Sequence, residues 1–299
     1  MCGIVGLLIR DPAAEGDLGR HFRAMLEAMT SRGPDSAGMA LYDHDVPAGS
    51  QRWSLHTTGD HADWNAVAAA VEASSGSSVE LDARGDIAFM VTAAPERTVH
   101  QALATATEER VTVVGVGSAM RLIKDVGTPR AICDRYRVDE IGGYMAVGHT
   151  RMATESAVTT QHSHPFSPAP DLALVHNGSF SNHASIRRRL SDLGITCVTD
   201  NDTEVAAQYI GWRMASGDDL EEAMRHVLKE FDGFFTLVVT SRNQFSVVRD
   251  AFACKPLVVA ETAGYVAVAS EYHALADLPG IADARVFEPQ PEEIHTWTV

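Results

Sequence analysis

At 299 residues, with 45% hydrophobic and 21% charged content, the chain is long enough to bury one large core, or a core and a smaller satellite. Its formal net charge of -16 and pI near 5.1 argue against nucleic acid or an anionic membrane as partner, since both would repel such a surface. The four cysteines, Cys2, Cys133, Cys197 and Cys254, lack CxxC or zinc-like spacing and are too sparse for a disulfide framework, and no run approaches the roughly 20 apolar residues of a membrane span.

In chain order, Ile4 to Ile9 is an apolar, β-branched run that predicts a strand, and Phe22, Met25, Leu26 and Met29 recur at helical spacing until Gly33-Pro34 stops the helix. Ala37 to Tyr42 reads as the next strand. From about Gln51 to Leu122 the pattern becomes strand, helix, two strands, helix, strand: Trp53 to Thr57, Trp64 to Glu72, Val79 to Ala83, Ile87 to Thr92, Val99 to Thr107 and Val111 to Val116. That order resembles a small ferredoxin-like α+β unit, here expected as an insert at residues 51–122. Tyr144 to Gly148 and Leu172 to Val175 are further strands, each running into a polar segment of the kind that carries function. Leu220, Ala223, Met224, Val227, Leu228 and Phe231 form one apolar helical stripe. The runs Phe234 to Thr240, Phe245 to Val248, Leu257 to Ala260 and Tyr265 to Ala269 alternate with turn signals as an antiparallel meander. The expected class is α+β, built in layers, not a βαβ array.

The chemistry begins at Met1-Cys2-Gly3-Ile4-Val5-Gly6. A small residue after Met1 permits removal of the initiator, which leaves Cys2 with both a thiol and a free α-amine. An ordinary α-amine titrates near pKa ~7.7 to 8.0, so part of it is neutral at pH 7 and able to take the thiol proton. Nothing can precede a functional N-terminal cysteine, and neither a basic leader nor a cleavage site is present, so a reducing, cytoplasmic location is expected. Alone, such a cysteine is as readily a buried structural residue beside a strand.

The other motifs follow in order: Arg32-Gly33-Pro34-Asp35-Ser36-Ala37-Gly38, Gly148-His149-Thr150-Arg151, His176-Asn177-Gly178, Asp200-Asn201-Asp202-Thr203-Glu204, Arg249 to Leu257, and Ala269-Ser270-Glu271. Together they resemble the class II glutamine amidotransferases of the N-terminal-nucleophile hydrolase superfamily, over essentially the whole chain (residues 2–299) except the insert. The resemblance implies a four-layer αββα sandwich with the small α+β unit inserted.

It also implies roles. Cys2 attacks the side-chain carbonyl of glutamine, and the Asn177 amide with the Gly178 backbone N–H holds the oxyanion. Arg151 pairs with the substrate α-carboxylate and Asp202 with its α-ammonium. Arg32 matches the family arginine that buttresses the nucleophile's surroundings, and Thr154 a position that often lines the glutamine pocket; both are grouped with the substrate-binding residues. Singly, these residues have plainer readings: surface charges for Arg32 and Arg151, a hairpin turn for Asn177-Gly178, and an N-cap of a helix from Thr203 to Met214 for Asp202. Met152 replaces a common Trp or Tyr of the family, and Glu155 a common Gly or His.

His162-Ser163-His164 is a weak metal signal, two histidines with no patterned carboxylate or cysteine, and no metal is expected. Gly115-Val116-Gly117 lacks the third glycine of a nucleotide fingerprint. Since the chain stops at Val299, soon after the last motif, no acceptor domain is expected within it. The combined motifs look most like stand-alone amidotransferase subunits of glutamate-synthase-like systems, among them that of N-methylglutamate synthase. The resemblance implies two partners, a flavin-binding synthase-like subunit and a β-helix subunit, with FMN and iron–sulfur clusters in a partner and no cofactor in this chain. Two other readings stay open: a γ-glutamyl amidohydrolase acting alone, and a non-catalytic glutamine-sensing or scaffolding subunit.

Overall fold

A computed structural model describes residues 2–58, 62–108, 110–152 and 158–299. Met1, Thr154 and Glu155, named above, lie outside the described residues.

The strands are β1 (Gly3–Ile9), β2 (Ser36–Tyr42), β3 (Gln51–Thr57), β4 (Val79–Arg84), β5 (Ile87–Thr92), β6 (Val111–Gly117), β7 (Met120–Val126), β8 (Met145–Arg151), β9 (Phe166–Ala169), β10 (Leu172–Phe180), β11 (Gly233–Ser241), β12 (Gln244–Arg249), β13 (Val258–Glu261), β14 (Tyr265–Ala269), β15 (Arg285–Phe287) and β16 (His295–Thr298). The helices are α1 (Leu18–Ala28), α2 (Trp64–Ser75), α3 (Glu96–Thr107), α4 (Pro129–Arg135), α5 (His183–Asp192), α6 (Asp202–Ala215) and α7 (Leu220–Glu230).

Two sheets form the centre. One is seven-stranded in the order β15-β13-β14-β1-β8-β2-β7, and the other five-stranded in the order β16-β12-β11-β10-β9. The alternation of β1 explains the layering: Ile4 and Leu8 point into the core shared with Val175, Val238 and Phe245 of the second sheet, whereas Val5, Leu7 and Ile9 point to the opposite face, against Phe22 and Met25 of α1. The outer face of the five-stranded sheet packs Leu174, Phe235 and Leu237 against α6 and α7 through Val205, Tyr209, Met224 and Val227. The result is the αββα sandwich that the resemblance implied. On α7, an Asp219–Glu222 capping box satisfies the first-turn amides and fixes where the amphipathic stripe begins.

Residues 51–117 form a third, four-stranded antiparallel sheet ordered β4-β5-β3-β6, a ferredoxin-like arrangement. Its one face carries α2 and α3, with Trp53, Leu55 and Met90 buried against Val67, Val71 and Leu103. Ile87 and Phe89 of its other face join the core of the main body. Residues 120–122, read above as the end of the insert, lie in β7, which pairs along its length with β2 in the seven-stranded sheet.

Two strands run further than their apolar patterns suggested. β8 continues to Arg151 because Thr150 pairs with Gly3 and Arg151 with Ser36; β10 continues to Phe180 because Asn177 to Phe180 pair with β11. The polar motifs are therefore strand residues, held by ladders on the sheet ends.

Candidate active site

Register brings the motifs to one end of the sandwich. Gly3 opposite Thr150 sets Cys2 beside Arg151, and Asn177-Gly178 opposite Thr236 and Phe235 places β10's polar end at the same edge. Cys2, Arg151, His176, Gly178 and Asp202 all line a single cavity of about 490 Å³.

Cys2 is half-buried, and its main chain is tied down from three directions. Arg32 Nε donates to the Cys2 carbonyl at 2.8 Å, and Asn177 Nδ2 donates to the same oxygen at 3.2 Å. The neighbouring Ile4 N–H donates to Ser270 Oγ at 2.9 Å. Arg32 itself is buried and gives its second bond to Glu271 Oε1 at 2.5 Å, and this hydrogen bond holds the Glu271 carboxyl below its ordinary value. The early arginine motif and the closing Ala-Ser-Glu motif thus meet behind the nucleophile. Arg32 does not line the cavity. Its side chain bonds the Cys2 carbonyl and Glu271, on the nucleophile's side of the site. Gly33 is required next to it, because a Cβ there would lie 2.4 Å from the Thr150 carbonyl carbon.

Gly178 has φ +145, and a Cβ on it would fall 1.8 Å from the Phe234 carbonyl oxygen. Only glycine fits that backbone, which leaves the main chain open to the cavity. Asn177 is buried, and its amide nitrogen carries a second N–H besides the one on Cys2. Arg151 is likewise buried at the cavity wall.

Asp202 is the first residue of α6 and does not cap it. The cap is Asn201, whose side chain accepts from the Thr203 N–H at 2.9 Å. The Asp202 carboxylate is therefore left for other partners: Oδ2 accepts the Phe180 N–H at 2.8 Å, while Oδ1 lies 3.3 Å from Thr203 Oγ1 and 3.8 Å from His176 Nδ1. A negative group in the first turn also meets the positive end of the helix dipole.

Three imidazoles, His149, His164 and His176, lie buried together, the last two at the cavity wall, with the first two rings 4.0 Å apart. Burial pushes the His149 pKa down to about 3 and holds His164 and His176 below the ordinary histidine value, so all three are neutral at pH 7. His164 Nε2 and His176 Nδ1 each stand 2.8 Å from Thr203 Oγ1. The nearby pair considered above for a metal is split: His162 faces Asp200 Oδ1 at 2.8 Å, whereas His164 turns inward to Thr203. Among the described residues, no group of three or more His, Cys, Asp or Glu side chains is arranged to hold a metal ion.

The sequence reading assigned no role to Thr203, His164 or Ser270. Thr203 stood inside a quoted motif, but its two imidazole partners lie 39 and 27 residues away, and only the fold joins them.

Residues 149–277 match the family described as "Glutamine amidotransferase domain". The chain is 43% identical over 297 residues to the glutamine amidotransferase-like protein GlxB of Rhizobium meliloti, covering 99% of this chain and 98% of that one. A glutamine amidotransferase homologue of Methanothermobacter thermautotrophicus is 31% identical over 97% of both chains. In fold it is similar to the glutamine phosphoribosylpyrophosphate amidotransferase of B. subtilis, with a TM-score of 0.63 at 17% identity over 99% of this chain; it spans 47% of that structure's chain. Motif order, sandwich and full-length similarity converge: the chain belongs to the class II glutamine amidotransferases, enzymes of the N-terminal-nucleophile fold.

Proposed function

We propose that this chain hydrolyses L-glutamine to glutamate and ammonia through a thioester on Cys2, and passes the ammonia to a separate synthase partner. The observation that carries this reading is the convergence of Cys2, Arg151, Gly178 and Asp202 on one cavity, with Asn177 bonded to the nucleophile's own carbonyl.

With Met1 removed, the Cys2 α-amine takes the thiol proton and the sulfur attacks the glutamine side-chain carbonyl carbon. The oxyanion is held by the free N–H of Asn177 Nδ2 and the Gly178 N–H. Collapse breaks the C–N bond, the α-ammonium returns its proton to the leaving nitrogen, and ammonia departs. Water then adds to the γ-glutamyl thioester, releasing glutamate and the thiol. At the other end of the substrate, Arg151 pairs with the α-carboxylate and Asp202 with the α-ammonium.

The acceptor lies on another polypeptide. We assign a glutamate-synthase-like system, of the N-methylglutamate synthase kind, with an FMN-binding subunit and a β-helix subunit; flavin and iron–sulfur clusters belong to those partners. An exposed aromatic pair supports an acceptor in trans: Phe234 and Phe252 are 49% and 73% exposed with rings 5.3 Å apart, and Phe234 pairs across the ladder with Ser179 of the cavity wall. Four unpaired cysteines suit a reducing cytoplasm.

The test is glutamate release from L-glutamine by the purified chain, alone and with the partner subunits, beside a Cys2→Ala control. Release that depends on Cys2 supports the reading. Correctly processed protein that is silent both alone and with partners overturns it.

A further inference from the structure

Thr203 is 1% exposed and has no role in the chemistry above, yet its hydroxyl is the meeting point of three polar groups. His164 Nε2 and His176 Nδ1 lie 2.8 Å from Oγ1 on either hand, and Asp202 Oδ1 lies at 3.3 Å. A hydroxyl has one proton to give and two lone pairs to receive with. Asp202, an ionised carboxylate, only accepts. The single assignment that uses every site has both imidazoles donating into Oγ1 and the hydroxyl proton going to Asp202 Oδ1.

That assignment fixes two tautomers, protonated on Nε2 in His164 and on Nδ1 in His176. It agrees with independent features. His164 Nδ1 and His176 Nε2, which it leaves without protons, are the nitrogens without a hydrogen-bond partner, and a bare lone pair is more tolerable in a core than an orphaned N–H. His176 Nδ1 also lies 3.8 Å from Asp202 Oδ1, where a protonated nitrogen suits the nearby carboxylate better than a bare lone pair. Asp202 is then held at both oxygens, Oδ1 by Thr203 and Oδ2 by the Phe180 N–H. Its remaining lone pairs face the cavity that Asp202 lines.

We propose that Thr203 is a positioning residue for substrate amino-group recognition: its hydroxyl, loaded by His164 and His176, sets the aim of Asp202 at the α-ammonium of glutamine. The inference rests on the reading of Asp202 as the group that receives that ammonium. It accounts for two imidazoles and a threonine buried at the cavity wall beside a binding carboxylate. The histidines act on Asp202 through Thr203.

The experiment compares Thr203→Val, which keeps the shape and removes the hydroxyl, with Thr203→Ser, which keeps the hydroxyl. Expected for the valine variant is a KM for glutamine raised roughly tenfold or more, the factor that one charge-assisted hydrogen bond commands, with kcat changed less than about threefold. The serine variant regains most of that loss. Two controls separate aim from damage: alkylation of Cys2 by iodoacetamide, and hydrolysis of glutaramate, which is glutamine without its α-amino group. Both are expected to run alike in wild type and the valine variant. A valine variant with wild-type KM, an equal loss on glutaramate, or a serine variant as impaired as valine overturns the proposal. Should the valine variant fail to fold, Thr203→Cys, similar in size with a weaker S–H donor, carries the same expectation, and a wild-type KM there overturns it. If wild type is an active glutaminase but Asp202→Asn leaves KM unmoved, it is the reading of Asp202 that has failed, independently of Thr203.

Discussion

In the proposed mechanism Asn177 holds two positions at once, one N–H on the Cys2 carbonyl at 3.2 Å and the other given to the substrate oxyanion. Removing it takes away a transition-state donor, and single donors of this kind are worth ~3 kcal/mol, or about 10²–10³ in kcat. Asn177→Ala is therefore expected to lower kcat by that factor with KM for glutamine within about threefold, measured by steady-state glutamate release. A raised KM at unchanged kcat would instead make Asn177 a ground-state binding residue. At this scale the sequence marked Cys2, Arg151, Gly178 and Asp202 because each sits in a contiguous motif, and the fold brings the four to one cavity. It was silent where a contact is shared across the chain. Nothing in the spacing of His164, His176 and Thr203 reveals a common hydroxyl.

Among the elements, β7 does most to join the inserted sheet to the site. Asp125 on β7 accepts from Tyr136 Oη and from Arg135 at 2.5 Å each, from the Val126 N–H at 2.7 Å and from Thr160 Oγ1 at 3.4 Å, and His56 of β3 lies 3.7 Å away. Burial alone would raise the Asp125 pKa, but the nearby His56 imidazole and the Tyr136 hydrogen bond outweigh it and bring the value down to about 2. A carboxyl depressed from 3.8 to about 2 stabilises the fold in full above pH ~4 and loses that contribution as pH falls toward 2, a swing of roughly 2 kcal/mol. Asp125→Asn is expected to be less stable than wild type at pH 7 by about that amount, with the gap closing between pH 4 and 2, in denaturant unfolding at a series of pH values. A gap that stays constant over that range would contradict the assignment. β7 was invisible to the pattern reading because Met120 to Val126 mixes Arg, Lys and Asp into an apolar run. Those charges are buried by the insert and the 158–164 segment, contacts no local window contains. The extension of β8 and β10 was missed for a related reason: polar strand ends look like loops until the partner strands are known.

For the whole molecule, the αββα class and the inserted ferredoxin-like unit were legible because hydrophobic periodicity and element order survive in one dimension. The grouping of exposed apolar residues was not. Phe234 and Phe252 come from separate segments, and only the fold brings their rings to 5.3 Å of each other. On a chain of net charge -16, an aromatic pair with 49% and 73% exposure is a poor surface for a solitary protein and a good one for a partner that must collect neutral ammonia before solvent protonates it. Phe252→Glu is expected to leave glutamate release by the isolated chain unchanged and to reduce recovery of the partner subunits in affinity purification by roughly tenfold, the scale of an aromatic anchor. Undiminished recovery would move the docking face elsewhere, with the outer surface of α2 and α3 next to be tested.

The central claim is that Cys2, freed at its α-amine, carries the glutamyl group. The most direct measurement is mass spectrometry of the N-terminal peptide after acid quenching of enzyme turning over L-glutamine. The result expected is a peptide that begins at Cys2 and bears a glutamyl thioester on its sulfur. A peptide that still begins at Met1, or an unmodified Cys2 while glutamate is being released, would contradict it.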